Sequence, residues 1–127
     1  MEELYRIIIP LPPVTKKNSS NIFFNKKTGK RFIMPSDRYK QYEKDFILLC
    51  PPIPLIDFPI NLKAHYYMPT KRKVDLINLH SALHDCLVRA KIILDDNSDI
   101  IVSTDGSRVF YDKINPRTEI FIEKFSN

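Results

Sequence analysis

The stretch that decides the fold is residues 75–90, DLINLHSALHDCLVRA. Its apolar residues recur at steps of three and four positions, which places them on one face of an α-helix: Leu76, Leu79, Leu83, Cys86, Leu87 and Ala90. Asp75 stands just before this stripe, where an aspartate side chain caps the first turn of a helix. The pattern therefore predicts an amphipathic helix with one buried face.

Apolar runs on both sides of this helix predict a sheet. Residues 4–9 are rich in isoleucine and end at a run of prolines, and residues 60–67 mostly alternate apolar with polar side chains. Residues 100–102 and 118–122 are further short apolar segments. We predict a strand from each of the four patterns, and the alternation in residues 60–67 indicates a strand that is buried on one face.

A hairpin and a second helix are predicted between the first two of these strands. Residues 22–24 and 32–34 are apolar and flank a basic turn in which Gly29 supplies a positive φ angle, so they predict a β-hairpin. Ser36 is the expected N-cap of a helix over residues 37–50, which two prolines end.

This order of elements predicts one mixed α+β domain over residues 1–127: a small mixed β-sheet with two main helices. A hydrophobic fraction of 43% suits a globular core, and ten prolines against two glycines argue against disorder. Two cysteines do not make a secreted disulfide framework, and the acidic start is unlike a secretory leader, so we expect a cytoplasmic protein. The most apolar stretch, residues 46–60, holds four prolines, which excludes a spanning helix there.

The net charge of +5 is unevenly distributed. Residues 1–50 carry ten Lys and Arg against five Asp and Glu, whereas residues 51–127 carry ten of each. Between Val14 and Lys44, nine basic residues face two acidic ones, a local charge of +7. Such a surplus favours a polyanion, because each neutralised phosphate releases counterions. A solubilising basic surface explains the same charges.

Three aspartates flank the predicted helix: Asp75 at its start, and Asp95 and Asp96 in the polar segment past its end. A helix of about fifteen residues spans about 22 Å, so these acids meet only if the chain runs back. If they meet, Mg²⁺ would relieve their repulsion and stabilise charge on a phosphodiester during cleavage. A cap at Asp75 and a turn over residues 95–98 explain the same residues without catalysis.

Other kinds of site find less support. His80 and His84 have a spacing that can chelate Zn²⁺, but no third ligand follows, so we interpret them as surface or subunit-contact residues. Residues 95–106 do not fit a calcium loop, because Ile100 stands where the loop needs glycine and Gly106 stands where it needs glutamate. Neither cysteine lies in a nucleophile motif, and two glycines do not make a glycine-rich phosphate loop.

Several short motifs, taken in order, resemble the RusA-like Holliday junction resolvases, the endodeoxyribonuclease RusA family. Residues 5–18 resemble the opening strand and proline turn of that family, and residues 35–42 are similar to the start of its first helix. Residues 68–79, MPTKRKVDLINL, resemble its central signature, in which a basic run precedes Asp-x-Asp-Asn-Leu. Residues 94–96, LDD, resemble its second acidic element.

The resemblance implies a homodimeric, Mg²⁺-dependent endonuclease, with Mn²⁺ as the other candidate cation, that nicks four-way DNA junctions symmetrically in recombination and repair. It implies a bacterial or phage-encoded cytoplasmic protein with no membrane role. By position, Asp75 and Asp96 match metal ligands, Asp95 matches their weaker neighbour, and Asn78 matches the signature asparagine. The residues expected to hold the DNA are Lys16, Lys17, Asn18, Lys26, Lys27, Lys30, Arg31, Lys71, Arg72 and Lys73.

Two positions depart from the family pattern. Ile77 stands where the second signature aspartate belongs, and Ser81 stands where the family often has a useful lysine. Either the site uses fewer carboxylates, or another acid substitutes, or the protein binds DNA without cutting well. Asp85 shares a helix face with Asn78 but lies about 10 Å along the axis, so we interpret Asp85 as part of a solvated flank.

Three functions are therefore compared. The leading hypothesis is a structure-selective endonuclease in which a metal bridges Asp75 and Asp96, and its two symmetric nicks require a twofold dimer. The second is a protein that binds DNA junctions without cleaving them. The third is an interaction domain whose basic hairpin binds an acidic protein.

Overall fold

The computed structural model describes residues 2–16, 20–35 and 37–126. It confirms the predicted mixed fold, with a five-stranded sheet, a separate hairpin and two helices among the described residues. In chain order the elements are β1 (Glu2–Ile9), β2 (Ser20–Phe24), β3 (Arg31–Pro35), α1 (Asp37–Leu49), β4 (Ile60–Met68), α2 (Leu76–Arg89), β5 (Ile101–Ser103), β6 (Arg108–Tyr111) and β7 (Arg117–Lys124).

The larger sheet is built around β4. One edge of β4 pairs antiparallel with β7, which pairs antiparallel with β1. The other edge carries two short parallel strands in succession: β5 pairs at Ile60 and Asn61, and β6 pairs from His65 to Met68. The sheet is therefore mixed, and β4 crosses its middle from the β5 end to the β6 end.

Both helices cover the same face of this sheet. Alternate residues of β1, β4 and β7 belong to one buried cluster with the apolar faces of α1 and α2. Its fully buried large side chains include Ile9, Phe46, Ile60, Leu62, Tyr66, Leu79, Leu83, Leu87 and Ile120. The apolar stripe predicted for α2 is confirmed, because its central residues are almost completely shielded from solvent.

The opposite face of the sheet carries cations over aromatic rings. Arg6 and Lys63 each lie 4.7 Å from the centre of the Phe121 ring, and the Arg117 guanidinium lies 3.8 Å from that of Tyr67. Such pairs stabilise a face that has no helix packed on it among the described residues.

The differences from the sequence prediction lie mainly in short or edge elements. β6 was not predicted, because its residues are mostly exposed and its structure depends on pairing with the edge of β4. The hairpin is confirmed, with Gly29 at a φ of 71°. The predicted cap Ser36 lies outside the described residues. No helix in the described part of the chain is long and apolar enough to cross a bilayer.

Candidate functional site

Asp75 caps the N-terminus of α2, as the sequence predicts. Its Oδ1 accepts a hydrogen bond of 2.9 Å from the backbone N–H of Ile77. The residue is exposed, and within the described residues the other carboxylate oxygen has no hydrogen-bond partner. Capping therefore uses one oxygen of Asp75 and leaves the second free to bind another group.

Asp95 and Asp96 differ in how far their carboxylates are already occupied. Asp95 accepts from the backbone N–H of Asp96 at 2.7 Å and from the Asn97 side-chain amide at 3.2 Å, so both its oxygens hold the turn. The exposed carboxylate of Asp96 accepts no hydrogen bond within the part of the chain that the structure describes. Asp96 thus has the more available carboxylate of the pair.

The length of α2 separates Asp75 from Asp96. The helix has fourteen residues, which rise about 21 Å, and Asp75 stands at its first turn. The Asp95–Asp96 loop instead lines a pocket of about 280 Å³ with Asp85, Val88 and Arg89, near the other end of the helix. In one chain the structure brings Asp95 and Asp96 together with Asp85 and does not bring them to Asp75.

The donor chemistry of the two free carboxylates fits Mg²⁺. This cation prefers oxygen ligands and commonly binds through one or two carboxylates, with water and phosphate oxygens as the rest. Among the described residues, no group of three or more His, Cys, Asp or Glu side chains could hold a metal ion. A single chain therefore offers one available carboxylate near each end of α2 rather than a complete metal site.

Asn78 and the two departures lie along the exposed part of α2. The Asn78 amide is half-buried in the first turn and has no hydrogen bond to any described residue. Ile77 exposes 74% of its surface, which is unusual for an isoleucine in a helix, and Ser81 is also exposed. Ile77 and Ser81 therefore face solvent, where they can contact a bound molecule, and Asn78 is only partly accessible.

Asp85 is half-buried and ion-paired, which corrects the prediction that it belongs to a solvated flank. The Lys16 ammonium forms an ion pair with the Asp85 carboxylate, with the two side chains 40% and 30% exposed. The same ammonium lies 5.5 Å from the centre of the Tyr39 ring. This contact ties the segment after β1 to α2 and places a cation, one of the predicted DNA-binding residues, beside the Asp95–Asp96 pocket.

We expect Asp85→Asn to lower the free energy of unfolding by about 0.5–1 kcal/mol, because a partly exposed ion pair contributes little in water. Lys16→Met should have a similar effect, and the double variant should cost less than the two single effects added together. Urea unfolding measures all three. Asp57→Asn, at an exposed loop position, is the control; additive losses for the double variant would show that the pair contributes nothing.

The histidines are less exposed than the sequence suggests. His80 Nδ1 lies 2.7 Å from the Tyr66 hydroxyl, and its ring stacks on His84 at 5.4 Å. Burial lowers the pKa of both rings, to about 4 for His84, whose Nε2 is buried without a partner in the described residues. His80 and His84 are therefore half-buried rather than fully exposed at the surface, and the alternative that they contact a second subunit stays a prediction.

Four of the predicted DNA-binding residues lie in the turn of the β2–β3 hairpin or at the start of β3, and all are exposed: Lys26, Lys27, Lys30 and Arg31. The turn is built by Asn25, whose Oδ1 accepts from the backbone N–H of Lys27 at 2.9 Å and whose C=O accepts from that of Gly29 at 2.8 Å. Lys17 and Asn18 lie outside the described residues.

A basic groove lies beside Asp75. The loop that joins β4 to α2 carries Lys71, Arg72 and Lys73, all exposed, and the Lys71 ammonium lies 5.3 Å from the Tyr111 ring. Arg72 and Lys73 line a groove of about 520 Å³ with Arg38 from α1. The sequence does not single out Arg38 as a DNA-binding residue, because it is one base among nine in the basic region and no pattern places it beside residues 71–73.

Comparison with known families identifies one match. The family model described as Endodeoxyribonuclease RusA matches residues 10–123 of the 127-residue chain, which covers all elements from the proline turn to most of β7. No curated protein matches the sequence at a significant level. The resemblance inferred from the ordered motifs is therefore confirmed.

Proposed function

This chain belongs to the endodeoxyribonuclease RusA family, and from that premise we propose that it nicks four-way DNA junctions in a Mg²⁺-dependent reaction. The family consists of Holliday junction resolvases, which act on branched DNA. The observation that carries the proposal is the position of Asp75: its free carboxylate oxygen is exposed at the start of α2, beside a groove whose charged lining residues are all cations.

We propose that Asp75 and Asp96 are the metal ligands and that they come from different subunits. One chain keeps the two carboxylates at opposite ends of α2, about 21 Å of helix apart. A twofold axis that pairs two copies of α2 antiparallel brings Asp75 of each copy towards Asp96 of the other. This arrangement gives two equivalent sites, which is what two symmetric nicks require.

The protein side chains have separate roles in this proposal. A bound Mg²⁺ would activate water and stabilise the charge that develops on the scissile phosphate. Asp75 and Asp96 would hold the cation, and the half-buried amide of Asn78, in the first turn of α2, would contact the DNA strand. Asp95 acts indirectly, since it holds the turn that presents Asp96.

The basic residues hold the junction through its phosphates. The exposed loop residues Lys71, Arg72 and Lys73 lie next to Asp75 and contact the backbone near the cut. Lys16 and the four basic residues of the hairpin, together with Lys17 and Asn18, contact the arms. These contacts supply affinity without sequence information, as suits an enzyme that recognises the shape of the DNA.

A second function, junction binding with little or no cleavage, is supported by one observation. Ile77 places an exposed apolar side chain where the family signature has its second aspartate, so one carboxylate is absent. The basic surfaces do not depend on that carboxylate. Binding would therefore survive even if cleavage were weak.

We expect purified protein to nick a synthetic four-way junction in Mg²⁺ or Mn²⁺ and to leave a linear duplex of the same sequence intact. Denaturing electrophoresis of end-labelled strands measures the cut, and the reaction in excess EDTA is the control. Salt-sensitive junction binding without a cut in either cation would favour the second function. Equal binding to junction, duplex and heparin would contradict both.

A further inference from the structure

The groove beside Asp75 combines cations from two parts of the chain that are far apart in sequence. Arg38 comes from the first turn of α1, whereas Arg72 and Lys73 come from the loop before α2. Within the described residues none of the three forms an ion pair, and no acidic side chain lines the groove. Three like charges that lack counterions raise the local potential and favour an anionic ligand.

The rest of the lining indicates which anion fits. Val14, Met68 and Val74 provide apolar parts of the wall, and the three cations are exposed, so they can reach the phosphates of a bound strand. The groove has no aromatic lining among the described residues, so it offers no ring on which a base could stack. Its volume of about 520 Å³ lies within the range of sites that enclose a small molecule, and is large enough for a short piece of sugar–phosphate backbone.

We propose that Arg38, Arg72 and Lys73 form one binding site for the phosphate backbone of a single DNA strand, which passes along this groove to Asp75. This inference rests on the proposed function and adds two points to it: Arg38 is a DNA-binding residue, and the strand is held between the starts of α1 and α2. Since the groove contacts phosphates and no bases, its contribution is the same for every DNA sequence.

The test is the salt dependence of junction binding. The slope of log affinity against log salt is negative, and each lost phosphate contact makes it less steep by about 0.9. We expect Arg38→Gln to make the wild-type slope less steep by about one, and to do so equally for two junctions with different arm sequences. Arg72→Gln should have the same effect, and Arg38→Lys should keep the wild-type slope because the charge remains. Fluorescence anisotropy with labelled junctions measures these values.

Lys40→Gln is the matched control, because Lys40 is exposed on the same helix and does not line the groove. Thermal unfolding of each variant shows whether it is folded. If Arg38→Gln keeps the wild-type slope while Arg72→Gln makes it less steep, Arg38 does not bind DNA. The proposal of one groove site is then wrong, and the proposed function stands. If Lys40→Gln makes the slope less steep by as much as Arg38→Gln does, the DNA is held by a diffuse basic surface and not by the groove. Wild-type protein that does not bind junctions would overturn the proposed function itself.

Discussion

A mixture of Asp75→Asn and Asp96→Asn subunits nicks four-way junctions, whereas each variant alone is inactive: this is the result we expect if the metal ligands come from two subunits. In a mixed dimer, one site combines both substitutions and the other keeps both aspartates. Asparagine is the substitution of choice at position 75, since it also caps a helix and preserves the bond to the Ile77 N–H. Loss of activity then reports on the lost charge.

The expected effects are large. Loss of a metal ligand removes several kcal/mol of transition-state stabilisation, and about 1.4 kcal/mol corresponds to a factor of ten in rate. The nicking rate of each single variant should therefore fall roughly 100-fold or more. Random exchange makes about half of the dimers mixed, each with one intact site, so the mixture should recover about a quarter of the wild-type nicking rate. The products should be single nicks rather than paired ones.

Two outcomes would contradict this arrangement. If the mixture is as inactive as its components, then either both ligands come from one chain or one of the two residues is not a ligand. Copurification of differently tagged subunits after mixing is the control that mixed dimers have formed. Full activity of Asp96→Asn would remove that residue from the site. Asp95→Asn is the comparison variant, and we expect it to keep at least about a tenth of the activity, because Asp95 holds the turn rather than the cation.

The sequence predicts the helix and its cap well because both are local. The apolar stripe of α2 follows from the period of the helix, and the Asp75 cap depends on a hydrogen bond to a residue two positions away. The turn that presents Asp96 is local in the same sense. The family, in contrast, is indicated by the resemblance of short motifs taken in order, which the match over residues 10–123 confirms.

What the sequence could not predict depends on contacts between distant segments. Asp85 was interpreted as solvated because its partner, Lys16, is sixty-nine positions away. Arg38 could not be singled out, because the groove exists only when α1 and the loop before α2 are placed side by side. The separation of Asp75 from Asp96 follows from the parallel pairing of β5 with the start of β4, which keeps the acidic loop at the far end of α2.

Ile77 is the position where a single substitution should raise activity most. Its side chain is 74% exposed, so replacing it disturbs no core packing. It lies in the first turn of α2, where a negative charge is favoured by about 0.3–1 kcal/mol through the helix dipole. Ile77→Asp also restores the missing carboxylate of the family signature, two residues after Asp75.

We expect Ile77→Asp to increase the nicking rate by about tenfold or more and to lower the Mg²⁺ concentration needed for half-maximal rate, because a further carboxylate strengthens cation binding. Ile77→Asn is the matched control, since asparagine has almost the same shape as aspartate but no charge. It should change the nicking rate by less than about twofold. Initial rates across a Mg²⁺ titration measure both. If the two variants behave alike, position 77 lies outside the metal site, and the exposed isoleucine must instead serve a contact with DNA or with the second subunit.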